Sequence, residues 1–141
     1  MNDTPVPTPP RAAPAVLLKE KEAYSLWLLI LRDFPKIERF GIGQKIDITF
    51  LHLLERTYRT SYLPIKPKII ALAETIAVSD TLKFLMQSAW ELKLISLKYY
   101  SNIAPKLEVI GQMLGGWKRG MEKKVKGENK LPTHKAQGES R

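Results

Sequence analysis

An all-α chain, folded as an up-down-up-down four-helix bundle, is what these 141 residues predict. Three observations carry that reading. Apolar residues recur at spacings of three and four along four long segments. Between residues 15 and 120 the apolar–polar alternation of a half-buried strand never runs for any length. Prolines and short turns separate the segments, so consecutive helices must fold back on one another.

The first helix is predicted over residues 15–33. Ala23, Trp27, Ile30 and Phe34 form one stripe, and Tyr24, Leu28 and Leu31 form a second. Together they make this helix apolar over most of its circumference, more than one core face requires. Pro35 ends it, because proline disfavours helix in the residue before it and suits the first turn of the next helix. The second helix is predicted over 36–62, with Ile42, Ile46, Phe50, Leu53, Leu54 and Thr57 inward. Ile48 and Leu51 lie off that stripe. Pro64 and Pro67 make the next turn.

The third helix is predicted over 67–92, its stripe being Ala71, Thr75, Val78, Leu82, Leu85, Ala89 and Leu92. Ser96 offers a hydroxyl as N-cap of the fourth, predicted over 97–118. There Tyr100, Ile103, Leu107, Ile110, Leu114 and Trp117 point inward. Pro105 should kink this helix, unless the helix starts at Asn102 and holds the proline in its first turn.

The end of the fourth helix, VIGQMLGGWKRG over residues 109–120, holds Gly111, Gly115, Gly116 and Gly120. Each interior glycine costs a helix about 1 kcal/mol against alanine. Gly111 and Gly115 share a face, which permits close approach of another backbone. Gly116 is then placed to end the helix and Trp117 to fold over the gap. The alternative is a helix that merely frays ahead of a loose tail.

The flanks differ from this middle. Residues 1–14 hold five of the ten prolines and predict a flexible arm, whereas 121–141 are polar and basic and predict a disordered tail. The bundle itself is assigned to 15–120. Lys and Arg number 23 against 14 Asp and Glu, a formal net charge of +9. Residues 118–141 alone carry eight basic side chains against three acidic ones. That balance favours a polyanionic partner, although a basic tail also serves simply to solubilise.

Up-down topology puts the turn after the second helix and the end of the fourth at one end of the bundle. The first brings Arg56, Arg59, Lys66 and Lys68; the second brings Lys118, Arg119, Lys123 and Lys124. Tyr58 and Tyr62 are interleaved with the first set, a mixture suited to phosphate contact with base stacking. On the other reading, the tyrosines cap the core and the bases are a solvated face.

Catalytic patterns are missing from the sequence. Without cysteine there is no disulfide, thiolate metal site or cysteine nucleophile. The histidines are His52 and His134. HLLE at 52–55 reverses the Glu-x-x-His order of di-metal bundles and stands alone, so His52 reads as a surface residue. GIG at 41–43 follows no strand and lacks the later positions of a phosphate loop or dinucleotide fingerprint. The expectation is a non-enzyme with no catalytic residue, metal or cofactor. The opening residues lack the basic and apolar regions of a secretory signal. The run LWLLIL at 26–31 is far shorter than the ~20 residues of a membrane span. A soluble, cytoplasmic protein without a membrane partner is expected.

Two motifs make the chain similar to a known family. FPKIERFGIGQKI at 34–46 and IGQMLGGW at 110–117 resemble the Avd family, the accessory variability proteins of diversity-generating retroelements. The likeness covers residues 24–119, and the second motif is the more specific. A related family, the bundle proteins encoded in intervening sequences of 23S ribosomal RNA genes, shares the first motif. Its members usually carry Ser-x-x-Asn-x-x-Glu-Gly late in the second helix, where this chain has FLHLLERTYRTSY at 50–62. Lys93, where a turn glycine is common, and Pro105 depart from the Avd pattern.

The resemblance implies a small basic bundle that assembles as a homopentameric barrel. It implies partners too: the retroelement's reverse transcriptase, its template-repeat RNA and the cDNA copied from it. The role would be to support mutagenic cDNA synthesis and retrohoming without doing the chemistry. Phosphate contact is expected first at Arg56, Arg59, Lys66 and Lys68, then at Lys118, Arg119, Lys123 and Lys124. Independently of the resemblance, the doubly apolar first helix and the off-stripe residues exceed what a monomer should expose, and Trp27, Ile48 and Leu51 are expected at subunit contacts. The alternative function is a structural bundle of the 23S intervening-sequence type that mediates protein contacts only.

Overall fold

Four α-helices and one 3-10 turn make up the described residues, 12–139, of a computed structural model; side chains are described over 15–127. The helices are α1 (Ala12–Arg32), α2 (Ile42–Thr60), α3 (Ile65–Glu91) and α4 (Leu97–Glu139). Packing runs around a square: α1 on α2 and α4, and α3 on α2 and α4. Cross-helix contacts set the directions. Glu20 meets Thr57 and Trp27 meets Asp47, Lys83 meets Glu108, and Asp33 meets Tyr99, so all these neighbours run antiparallel. The four-helix bundle expected from the apolar spacing is the observed fold.

The centre of the bundle is aromatic. Trp27 stands edge-on to Phe34, with centroids 5.8 Å apart, and stacks on Phe50 at 6.4 Å. Its indole N–H donates to Asp47 Oδ1 at 3.2 Å, and the Tyr24 hydroxyl donates to the same oxygen at 2.9 Å. One carboxylate on α2 thus anchors two aromatic rings of α1. Desolvation pushes the Tyr24 hydroxyl up to about 12, helped by the hydrogen bond to Asp47 and the charge on it.

The boundaries differ from the sequence reading in four places. A 3-10 turn at Glu38–Phe40 precedes α2, and Gly41 (φ −106°, ψ −108°) leaves helical geometry, so α2 starts at Ile42 rather than at 36. Gly43 then passes so close to Phe34 that a Cβ there would lie 3.3 Å from the ring and 3.2 Å from the Glu38 carbonyl. α3 starts at Ile65, capped by Pro64 in extended conformation (ψ 162°), which places Pro67 in its first turn where no N–H is needed. Its buried face includes Leu72, Ser79 and Met86, whereas Leu92 is exposed. α4 begins at Leu97, capped by the Ser96 hydroxyl accepting from Tyr99 N–H at 3.2 Å, and continues through Pro105. Both Pro105 and Ser101, whose carbonyl loses its partner, are exposed to water.

The last difference is the largest. α4 does not end at Gly116 or residue 118 but runs to Glu139, so the tail expected to be disordered from 121 is helical over 121–139. Met121 packs against the core, and Lys118 pairs with Glu122 one turn on at 2.9 Å. Over residues 118–126, Lys- and Glu-rich sequence with such pairs favours continued helix; Gly127, Pro132 and Gly138 lie within α4 farther on, where local propensity does not account for it. Of the expected arm, residues 1–11 lie outside the described residues, and 12–14 already belong to α1.

Candidate nucleic-acid interface

The end of the bundle that holds the α2–α3 turn also holds the later part of α4. Lys68, in the first turn of α3, sets its ammonium 5.9 Å from the centroid of the Trp117 ring on α4. That cation–π contact joins the two basic segments directly. A groove of about 470 Å³ runs beside it, lined by Ile69 of α3 and by Arg119, Glu122, Lys123, Val125 and Lys126 of α4. The sequence reading missed Lys126 and Ile69. The signal was present, because Arg119, Lys123 and Lys126 fall at i, i+4 and i+7, but a segment read as disordered has no faces.

The expected phosphate contacts divide into two groups. Arg56 donates to Glu74 Oε1 at 2.7 Å, Arg59 pairs with Glu55 at 3.3 Å, and Lys118 pairs with Glu122. Lys66, Lys68, Arg119, Lys123 and Lys124 have no ion-pair partner among the described residues. The Arg56 Nε–H is buried without an acceptor, so this side chain is part of the α2–α3 packing. The more available cations are those of the second group and Lys126.

The glycines of α4 serve this surface and not a close helix contact. A Cβ at Gly111 would meet the Ser79 and Lys83 side chains of α3 at ordinary distances, 3.8 and 3.5 Å. At Gly115 and Gly116 it would meet only the Arg119 guanidinium, at 3.4 and 3.8 Å. Arg119 lies back along its own helix over bare backbone, the direction helical side chains favour. No other backbone approaches there among the described residues.

The expected subunit contacts also divide. Trp27 is 0% exposed and held by Asp47, so it belongs to the monomer's core; the second apolar stripe of α1 misled the assignment. Ile48 and Leu51 are 52% and 47% exposed. With Gln44, Glu55, Tyr58 and Tyr62 they form one line on the outer face of α2, at alternating spacings of four and three. Across the bundle, Leu26 and Leu29 of α1 line a groove of about 560 Å³ with Pro105 and Lys106 of α4.

The groups clustered in the groove are the cations Arg119, Lys123 and Lys126 with the Glu122 carboxylate among them. His52 is exposed on α2. Among the described residues there is no group of three or more potential metal ligands, and no helix long and apolar enough to cross a membrane. In comparisons with known proteins, neither a protein-family model nor a curated protein sequence matches the chain.

Proposed function

We propose that this protein is a non-catalytic, oligomeric accessory protein of a diversity-generating retroelement, binding template RNA and reverse transcriptase for mutagenic cDNA synthesis. The observation that carries the RNA part is the cationic end, where the α2–α3 turn and α4 meet at the Lys68–Trp117 contact. Lys66, Lys68, Arg119, Lys123, Lys124 and Lys126 carry positive charge there without an ion-pair partner among the described residues. Such a surface gains affinity by releasing counterions from a polyanion. The reading as an Avd-like protein rests on the motifs at 34–46 and 110–117.

Self-association is supported by the shapes of two faces. The Ile48–Leu51 stretch of the α2 ridge and the α1–α4 groove lie on different sides of one subunit. A ridge that fits a groove elsewhere on the next copy makes a head-to-tail contact, the kind that closes into rings. The homopentamer is the closed form the family resemblance implies. For the polymerase, the other end of the bundle offers exposed apolar side chains: Ile37 and Phe40 at the α1–α2 connection are 84% and 83% exposed, and Leu92 and Leu97 at the α3–α4 connection are 64% and 63% exposed. Holding template and polymerase on one scaffold raises their effective concentration.

The test is RNA binding by the full chain as a function of salt, with Lys123→Glu/Lys126→Glu beside the parent. The expected result is a linear fall of log affinity with log salt, with a shallower slope in the variant. Salt-independent or absent binding would favour the second reading, a bundle that mediates protein contacts only.

A further inference from the structure

Tyr58 and Tyr62 remain unexplained by phosphate binding. Tyr58 lies on the outer face of α2 and Tyr62 four residues on, in the turn that follows it; they are 51% and 47% exposed, where large aromatic side chains usually find cover. Their rings meet edge to face, with centroids 5.2 Å apart and planes at 67°. Each ring therefore restrains the other without the bundle enclosing either. Two rings so inclined cannot sandwich one base between parallel faces. They do present separate faces on which a base can stack from outside.

The surroundings favour a nucleic acid over a protein as occupant. Arg59 sits between the tyrosines in sequence with a largely exposed side chain, and Lys66 follows across the turn. The acidic residues that flank residues 56–73, Glu55 and Glu74, pair with Arg59 and Arg56, and Lys66 and Lys68 have no ion-pair partner among the described residues. The aliphatic part of the α2 ridge, Ile48 and Leu51, lies two turns away from this end. A duplex hides its base faces within its own stack, whereas a single strand offers them to aromatic side chains.

We infer that the Tyr58–Tyr62 pair is a stacking platform that makes the cationic end selective for single-stranded over duplex RNA. This rests on the RNA-binding reading above and adds a preference which phosphate contacts alone do not supply. Lys66, across the α2–α3 turn, holds the backbone of the strand; the tyrosines hold one or two of its bases.

The experiment compares binding of the full chain to a labelled mixed-sequence RNA 20-mer, free and annealed to its complement, at one salt concentration. Tyr58→Leu/Tyr62→Leu keeps apolar bulk but removes the rings; Tyr58→Phe/Tyr62→Phe keeps the rings. The leucine variant is expected to lose tenfold or more on the single strand and less than twofold on the duplex, with the phenylalanine variant near the parent. Light scattering and circular dichroism on each variant monitor assembly and folding. Equal loss on both RNAs, or none on the single strand, overturns the inference while leaving RNA binding intact. A leucine variant that folds but no longer assembles overturns it in favour of a subunit contact. A parent protein that binds neither RNA overturns this inference together with the function on which it rests.

Discussion

The Thr57 hydroxyl donates to Glu20 Oε2 at 2.7 Å inside the closed core, while Glu20 Oε1 has no partner. Burial pushes the Glu20 carboxyl from 4.5 up to about 8, with the Thr57 hydrogen bond pulling weakly the other way. Both residues are 0% exposed, so the folded bundle holds a neutral acid at neutral pH.

Proton counting gives the direction of the effect on stability. Between pH 4.5 and about 8 the unfolded chain has lost this proton and the folded chain keeps it. Stability then falls as pH rises, by about 1.4 kcal/mol per pH unit from this group, and levels off above the folded value. Below 4.5 the contribution is fully present. Glu20→Gln, which still accepts from Thr57, should flatten the fall. Urea denaturation at a series of pH values measures it, and an unchanged pH slope in the variant refutes the assignment.

Lys93 carries a backbone conformation that glycine would adopt without strain. Its φ is 64°, and it ends α3 with paired bonds, Lys93 N–H to Trp90 O at 2.9 Å and Leu94 N–H to Ala89 O at 2.8 Å. This is a Schellman motif with lysine in the left-handed position. Lys93→Gly should stabilise the bundle by roughly 1 kcal/mol, the steric cost of a Cβ there less the added freedom of the unfolded chain. A lower thermal midpoint for the variant would contradict it.

Ile48 and Leu51 should be separable from Trp27 by experiment. Ile48→Asp/Leu51→Asp places two charges on an exposed ridge and should leave the monomer fold intact; if the chain self-associates through α2 as proposed, light scattering should show a larger parent species reduced to monomers in the variant. Trp27→Ala should instead lower stability by about 3–5 kcal/mol, because it empties the core and leaves Asp47 without one of its donors. A monomeric parent would refute the proposed self-association, and a folded Ile48→Asp/Leu51→Asp protein that keeps an oligomeric parent's mass would place the contact away from α2.

The helix count, the antiparallel order, the Ser96 cap and the inner residues of α4 were legible in sequence, because each follows from local spacing. Apolar periodicity of 3.6 residues selects a helix and one face of it, and prolines at 35, 64 and 67 limit where helices run. The basic end was legible too, as topology alone brings the α2–α3 turn and α4 to one side. What spacing does not contain is which of several apolar stripes a neighbour will cover. Trp27 and Leu28 are equally apolar in the sequence, yet one is enclosed and the other 40% exposed. The ion pair that occupies Arg56 and the neutral Glu20 also depend on neighbours, whereas the Arg59–Glu55 pair lies four residues apart on one helix. Local sequence determined the elements and the charge that this protein carries. Only the tertiary packing decided which groups face solvent and that Arg56 meets Glu74, because burial and cross-helix pairing belong to the space between helices.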